Sequence, residues 1–189
     1  MTATIAPPSI ITYLIGQQRQ VSLLFSQLEK LRNAPSEQAR GLVQQAVIGL
    51  MKNSVVEEIH LFPFVRDRLP GGDEIADREI AALAEAEQTM KELEGLDPDD
   101  PHFWPTIHTL MGQVKAVVHE QEFMLFPLMQ KTCSNDELVT LGVRAQESAQ
   151  MSPTRPHPNS PKEGAALQML APGVGLVDRI RDVITGRGH

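Results

Sequence analysis

The length and charge of the chain exclude several classes of protein. It has 189 residues and a formal charge of −7, so we expect neither nucleic acid nor an anionic membrane as its main partner. Hydrophobic residues make up 41 %, enough for a buried core, while aromatic residues make up only 4 %, and this balance favours helices over strands. The single cysteine, Cys133, excludes an internal disulfide and is typical of a reducing compartment, so we expect a cytoplasmic protein.

Four helical segments follow one another along the chain, each with a capping residue or a helix breaker at its ends. They run from Ser9 to about Arg32, from Ser36 to Pro70, from about Asp73 to Gly95, and from about Trp104 to Lys131. The connections between them are short, which favours antiparallel neighbours. The pattern therefore predicts an all-α protein, an antiparallel four-helix bundle that spans residues 1–148 as one domain.

The C-terminal region, residues 149–189, differs in composition from the bundle. Residues 151–161 contain too many prolines for a helix, so they predict an extended, proline-rich arm. A short amphipathic helix is predicted after the arm, over Val174 to Ile184, where apolar residues stand among charges. We expect this helix to dock on the bundle, with a second subunit as the alternative.

The chain contains one internal repeat. Residues 57–63 read Glu-Glu-Ile-His-Leu-Phe-Pro, and residues 121–127 read Gln-Glu-Phe-Met-Leu-Phe-Pro. Each copy lies in the second helix of a predicted helical hairpin, so the repeat indicates two related hairpins with equivalent inner positions at Glu57 and Gln121. The proline that ends each copy is expected to kink or tighten its helix just after the motif.

Polar residues interrupt the apolar stripe that the predicted helices turn toward the core. With inner positions three and four residues apart, the stripe includes Gln18, Asn53, Glu57 and Gln121, and on the third helix Ile80, Leu83 and Glu87. An unpartnered buried amide costs about 1–3 kcal/mol, and an unpaired carboxylate costs far more. These polar residues therefore form either a satisfied network or a functional site, unless some of them sit just off the stripe and reach solvent.

Several segments resemble the hemerythrin-like HHE family, and its actinobacterial members in particular. They are residues 53–63, which look like the family's His-x-x-x-Glu block, the third-helix segments 69–77, 84–87 and 91–100, and the tail segments 153–158 and 173–178. The resemblance covers nearly the whole chain. It implies a four-helix bundle that binds two irons through histidines and two bridging carboxylates, and a role in handling oxygen or sensing redox state.

Most of the iron ligands that the resemblance implies are replaced in this chain. Six of the expected ligand positions read Gln18, Asn53, Arg78, Leu83, Val117 and Gln121, and Glu57 is the one expected ligand that is retained. Amides are weak ligands, leucine and valine are none, and an inward arginine repels a cation. We therefore expect no cofactor, and iron only if these positions are wrongly assigned.

Glu57 and His60 offer a different route to a metal. They have the Glu-x-x-His spacing with which carboxylate-bridged metal bundles place two ligands on one helix face. Together with Glu87 they would form a mononuclear site. In the alternative interpretation, His60 is half-buried at the end of the bundle and Glu57 is held by glutamine or asparagine amides.

The replaced ligands suggest three functions. In the first, Leu83 and Val117 fill only part of the space that two irons would occupy, and the remainder is a small-molecule pocket with amides as orienting groups. Glu57 would be its general acid or base, in a cofactor-independent enzyme or an auxiliary protein of actinobacterial secondary metabolism. The alternatives are a metal-binding sensor of oxygen or redox state with a remodelled iron site, and a purely structural interaction module. The oligomeric state is left open.

Overall fold

The computed structural model describes residues 7–32 and 37–151, and every regular element within them is helical. The elements are α1 (Ile10–Lys30), α2 (Glu37–Val56), a first π turn (Glu57–Leu61), α3 (Phe62–Arg68), α4 (Gly72–Glu94), α5 (Phe103–Glu120), a second π turn (Gln121–Leu125), α6 (Phe126–Thr132) and α7 (Asn135–Met151). The predicted proline-rich arm and C-terminal helix lie outside the described residues. None of the described helices is long and apolar enough to cross a membrane.

The four predicted helices form the bundle, which confirms the all-α fold. The long second helix consists of α2, the first π turn and α3, and the long fourth helix of α5, the second π turn and α6. The side chain of Ser9 caps α1 and accepts a hydrogen bond from the backbone N–H of Thr12 at 3.2 Å. Gly71, at φ 69°, turns the chain from α3 into α4, and a Cβ on Gly72 would lie 2.1 Å from the carbonyl oxygen of Val65. This close corner sets α4 against α3.

Both copies of the sequence repeat form a π turn, a helical turn that contains one extra residue. The backbone N–H of Phe62 bonds the carbonyl of Glu57, five residues earlier, and that of Phe126 bonds the carbonyl of Gln121. The second residue after each turn is a proline, Pro63 or Pro127, which has no N–H and whose ring crowds the preceding turn. The expected kink or tightening is therefore a widening within the motif, and each helix continues beyond it.

A fifth helix, α7, is missing from the four-helix prediction. It packs against α1 and also contacts α2 and the first π turn. Its start is capped reciprocally, since the Glu137 carboxylate accepts from the backbone N–H of Ser134 at 2.9 Å and the backbone N–H of Glu137 donates to the Ser134 hydroxyl at 3.3 Å. At Gly142 the backbone of α7 approaches the chain before α1 so closely that a Cβ would lie 2.2 Å from the carbonyl oxygen of Pro8. The helix therefore covers one side of the bundle.

The apolar core is divided into two clusters along the bundle. The cluster at the π-turn end includes Leu14, Val56, Leu61, Phe62, Leu125, Met129, Leu141 and Ala145. The cluster at the far end includes Leu28, Val43, Ala86, Met90, Phe103, Ile107 and Leu110. Polar residues occupy the level between the two clusters, where each of the four long helices contributes an inner position.

Candidate functional site

Four polar side chains from four helical segments meet between the two apolar clusters. They are Gln18 of α1, Glu57 of the first π turn, Glu79 of α4 and Gln121 of the second π turn, and none is more than 7 % exposed. The Nε2 of Gln18 donates to Oε1 of Gln121 at 2.6 Å. The Nε2 of Gln121 donates to Oε1 of Glu57 at 3.2 Å and to Oε2 of Glu79 at 2.9 Å. We call these four residues the core network, and Gln121 is its centre.

The two π turns position Glu57 and Gln121. Each residue is the first of its turn, the two are 64 residues apart in the chain, and their side chains are hydrogen-bonded to each other. The repeat predicted equivalent inner positions for this pair, and the structure places the two side chains face to face. One copy of the repeat thus supplies a carboxyl and the other supplies the amide that binds it.

Glu79 is not among the predicted site residues, because the inner stripe of α4 differs from the expected one. The expected stripe passes through Ile80 and Glu87. Ile80 is 37 % exposed, and Glu87 is half-buried and does not line the cavity described next. The buried residues of α4 include Ala76, Glu79, Ala86 and Met90 instead. The predicted stripe takes a step of four from Ala76 to the apolar Ile80, whereas the structure takes a step of three to Glu79. The buried acidic group of α4 is therefore Glu79 and not Glu87.

A small cavity lies beside the core network. Its volume is about 40 Å³, room for about three water molecules and far below the several hundred Å³ of a usual ligand pocket. The predicted residues Leu83, Val117 and Asn53 all line it. The full lining is Gln18, Val21, Leu50, Asn53, Ser54, Glu57, Leu83, Ala86, Met90, Val114, Val117, Val118 and Gln121. The lining is thus mostly apolar, with polar groups supplied by the network and the second helix.

Burial raises the pKa of both carboxyls of the core network. Desolvation raises the pKa of Glu57 to about 8, against the hydrogen bond from Gln121, which lowers it, and the nearby charges of Glu79 and Glu58 raise it further. The pKa of Glu79 is raised as well, again mainly by burial, with the hydrogen bond from Gln121 opposing. Glu57 is therefore mainly neutral at pH 7, and this lowers the cost of its burial.

Comparisons with known proteins agree with this architecture. No family model matches the chain. A curated relative, an uncharacterized hemerythrin-like protein of Schizosaccharomyces pombe, is 22 % identical over 141 residues, which cover 74 % of this chain and 70 % of that protein. The crystal structure of a hemerythrin HHE cation-binding domain-containing protein from Mycobacterium kansasii matches with a TM-score of 0.66 at 15 % identity, over 76 % of this chain and 86 % of that one. The chain therefore has the same fold as this hemerythrin HHE domain.

The donor set of this chain does not fit the di-iron centre that the resemblance implies. The core network offers two carboxyls and two amides, and both N–H groups of Gln121 are directed at the carboxyls. Such a centre needs several strong ligands around each iron, histidines among them. Arg78, at one expected histidine position, is exposed and pairs with Glu120 at 2.7 Å. Among the described residues, no group of three or more His, Cys, Asp or Glu side chains could hold a metal ion.

His60 does not join Glu57 in a common site. Its Nε2 lies 2.7 Å from the hydroxyl oxygen of Ser148 on α7, and it does not line the cavity. Burial lowers the pKa of the imidazole, and the charge of Arg144 lowers it further. The Glu-x-x-His spacing assumes a regular helix, whereas these two residues lie within a π turn, where the extra residue changes the face on which each side chain lies. His60 therefore acts in the attachment of α7.

Proposed function

We propose that this protein, with its hemerythrin-like fold, uses its core as a small-molecule cavity with a carboxyl pair, in place of a di-iron centre. One observation carries the proposal: the amide of Gln121 donates to Glu57 and Glu79 together, beside a cavity that Glu57 lines. Both carboxyls use an oxygen to accept this amide, and the space next to Glu57 is open. In this proposal Glu57 can hold and release a proton without a metal.

Glu57 is the group that performs acid–base chemistry in this proposal. Its raised pKa, about 8, lies close to physiological pH, where a group gives up and takes back a proton most effectively. A neutral Glu57 donates its proton to a molecule in the cavity, and the resulting carboxylate takes a proton back when the product leaves. Gln121 stabilises that carboxylate through its N–H, and Glu79 provides a second carboxyl on the same amide.

The size of the cavity limits what the site binds. A volume of about 40 Å³ admits a molecule of a few heavy atoms, whereas a whole metabolite requires a pocket of several hundred Å³. A cofactor-independent enzyme, or an auxiliary protein of actinobacterial secondary metabolism, would therefore act through this core only on a very small substrate. A larger substrate would require α4 and α5 to separate, because Leu83 and Val117 close the cavity on that side.

Metal analysis of the purified full chain tests the proposal. Elemental mass spectrometry is performed on the protein as isolated and after anaerobic ferrous loading, with an absorption spectrum after exposure to air. We expect far less than one iron per chain in both samples. Two irons per chain with oxo-bridge absorption would overturn the proposal and restore the usual family function. One ion per chain would favour the remodelled metal site instead.

A matched variant sharpens this test. Histidines at Gln18, Asn53, Leu83 and Val117 together with Gln121→Glu restore the ligand types that the resemblance implies. All five positions line the cavity, so the new side chains project into one space. We expect this variant to bind iron under conditions in which the unmodified chain does not. A folded variant that takes up no iron would contradict the assignment of these positions.

A further inference from the structure

One polar atom of the core network has no partner in the described part of the chain. The Nε2 of Gln18 is occupied by Gln121, whereas Oε1 of Gln18 is buried and accepts no hydrogen bond. The side chain as a whole is only 7 % exposed and lines the cavity. A buried acceptor without a donor costs about 1–3 kcal/mol, so a fold that keeps one gains by binding a donor there.

The direction of the network fixes which atom of Gln18 is free. Gln121 has two carboxyl acceptors for its N–H groups, so its oxygen faces Gln18 and accepts from Nε2. Reversing the Gln18 amide alone would place two oxygens 2.6 Å apart, which is repulsive. Gln18, which lines the cavity, therefore keeps a buried acceptor unused, and an occupant that satisfies this acceptor must supply an O–H or N–H donor.

The remaining walls exclude a charged occupant. Most of the lining is aliphatic, with Leu83, Met90 and Val117 among its members. A bound anion would lie beside the carboxyl of Glu57, and none of the described residues that line the cavity is cationic. A bound cation would lose its hydration in a mostly apolar space, at a cost of several kcal/mol per ion. A neutral molecule meets neither penalty.

We infer that the cavity binds one small neutral molecule, of about two to four heavy atoms, that donates an O–H or N–H hydrogen bond to Oε1 of Gln18. Small alcohols and primary amides belong to this class. The inference rests on the proposed function, since it names the chemistry of the ligand that the core cavity takes. Gln18 is thereby the group that selects the ligand, whereas Glu57 carries the proton chemistry.

Two probes of equal size test the hydrogen bond in the unmodified chain. Methanol has an O–H, and fluoromethane has the same number of heavy atoms and none. Each is titrated into ¹⁵N-labelled protein while the side-chain amide signals of Gln18 and Gln121 are followed by nuclear magnetic resonance. We expect methanol to shift these signals with a dissociation constant about tenfold lower than that of fluoromethane, the effect of one hydrogen bond to a buried acceptor. Equal dissociation constants for the two probes would overturn the inference.

Variants and an apolar probe separate this inference from the proposed function. Gln18→Met removes the acceptor at similar volume and should weaken methanol binding about tenfold, while Gln20→Met, at an exposed position of α1, should leave it unchanged. Xenon, which needs only a cavity, should bind the unmodified chain and both variants. Xenon binding with no preference for methanol would refute the ligand class alone. Absence of binding by every probe would refute the small-molecule cavity as well. If Gln18→Met does not fold, the comparison of methanol with fluoromethane decides.

Discussion

The two copies of the repeat share a backbone and differ in what covers them. His60, in the first π turn, is half-buried and bonded to Ser148 of α7. The equivalent residue of the second π turn, Met124, is 68 % exposed, and its neighbour Phe123 is 64 % exposed. Both copies end in Leu-Phe-Pro and form the same widened turn. The presence of α7 on one side determines which outer side chains are buried.

The residue before each π turn shows the same contrast. Val56, before the first turn, is 1 % exposed and belongs to the apolar cluster that also includes Leu141 and Ala145 of α7. At the equivalent position before the second turn is Glu120, which pairs with Arg78 of α4 at 2.7 Å. At this level the second hairpin thus has an ion pair between α4 and α5, where the first hairpin has apolar packing against α7.

The inner positions of the two hairpins also differ in kind. Next to the cavity, the hairpin of α1 and α2 contributes the amides Gln18 and Asn53, and the hairpin of α4 and α5 contributes the aliphatic Leu83 and Val117. These four inner positions therefore differ in polarity between the hairpins, while the rest of the lining is mixed: Val21 and Leu50 of the first hairpin are apolar, and Gln121 of the second is an amide. A symmetric metal centre would need matching ligands on both sides, whereas this arrangement favours the orientation of one small polar molecule.

The largest expected effect concerns the acid of the first copy. The pKa of Glu57 is about 8 in the folded chain, against 4.5 for the ordinary carboxyl. Below about pH 4.5 the carboxyl of Glu57 is protonated in both the folded and the unfolded chain, so its ionisation does not affect the free energy of unfolding. Between pH 4.5 and 8 the unfolded chain releases its proton while the folded chain keeps it, so the free energy of unfolding falls and then levels off above pH 8.

Glu57→Gln should remove this dependence. Its free energy of unfolding, relative to the unmodified chain, should rise with pH by at most about 5 kcal/mol between pH 4.5 and 9, as measured by urea unfolding at a series of pH values. Glu147→Gln, at an exposed position of α7, is the matched control and should give a small difference. A difference for Glu57→Gln that does not change with pH would show that this carboxyl is not a buried neutral acid.

Gln121→Leu tests the amide of the second copy. It removes the donor to both carboxyls and the acceptor of Gln18, so three hydrogen bonds are lost and their partners stay buried. We expect a loss of about 3 kcal/mol in the free energy of unfolding at pH 7. Gln130→Leu, at an exposed position of α6, should change it by less than about 0.5 kcal/mol. Equal effects of the two substitutions would mean that the network contributes nothing to stability.

The attachment of α7 is tested by a pair of glycine substitutions. A Cβ at Gly142 would lie 2.2 Å from the carbonyl oxygen of Pro8, whereas a Cβ at Gly112 of α5 meets nothing within 4 Å. Gly142→Ala should therefore destabilise the protein by about 2 kcal/mol through displacement of α7. Gly112→Ala should stabilise it by up to about 1 kcal/mol, because alanine favours the helix. If Gly142→Ala were as stable as Gly112→Ala, α7 would not pack as described.

The smallest effects concern the outer residues of the two π turns. His60→Ala removes the hydrogen bond to Ser148 and should cost about 1 kcal/mol. Met124→Ala, at the equivalent exposed position, should change the free energy of unfolding by less than about 0.5 kcal/mol. Thermal unfolding of both variants under one condition gives the comparison. A larger loss at Met124 would indicate that this side chain is covered in solution.

The spacing of the apolar residues, together with the capping residues and helix breakers, was sufficient to predict the bundle. The four helices begin and end within a few residues of the predicted positions because Ser9, Gly71 and the neighbouring prolines act locally. The inward positions of Gln18, Asn53, Glu57 and Gln121 also follow from the spacing of the apolar residues around them. An apolar stripe along a long helix fixes which side chains point to the core.

The errors have specific physical causes. Glu79 was missed because an apolar neighbour, Ile80, fits the stripe almost as well, and only the partner amide of Gln121 explains why a carboxyl is buried instead. The widened turns were not predicted because a proline is compatible with either a kink or a π turn. The signal for α7 was present: Ser134 and Glu137 have the spacing of a capping box, and Leu138, Leu141 and Ala145 follow at helical intervals.

The π turns also change the direction in which the side chains after them point around the helix axis. After Glu57, the buried residues Leu61, Val65 and Leu69 follow at intervals of four. In a regular α-helix, twelve residues would carry the last of them roughly 120° past the starting face. An extra residue within the turn absorbs roughly 100° of that rotation. Each long helix can therefore present a carboxyl or an amide to the middle of the bundle and still direct its final turns at the same apolar neighbours.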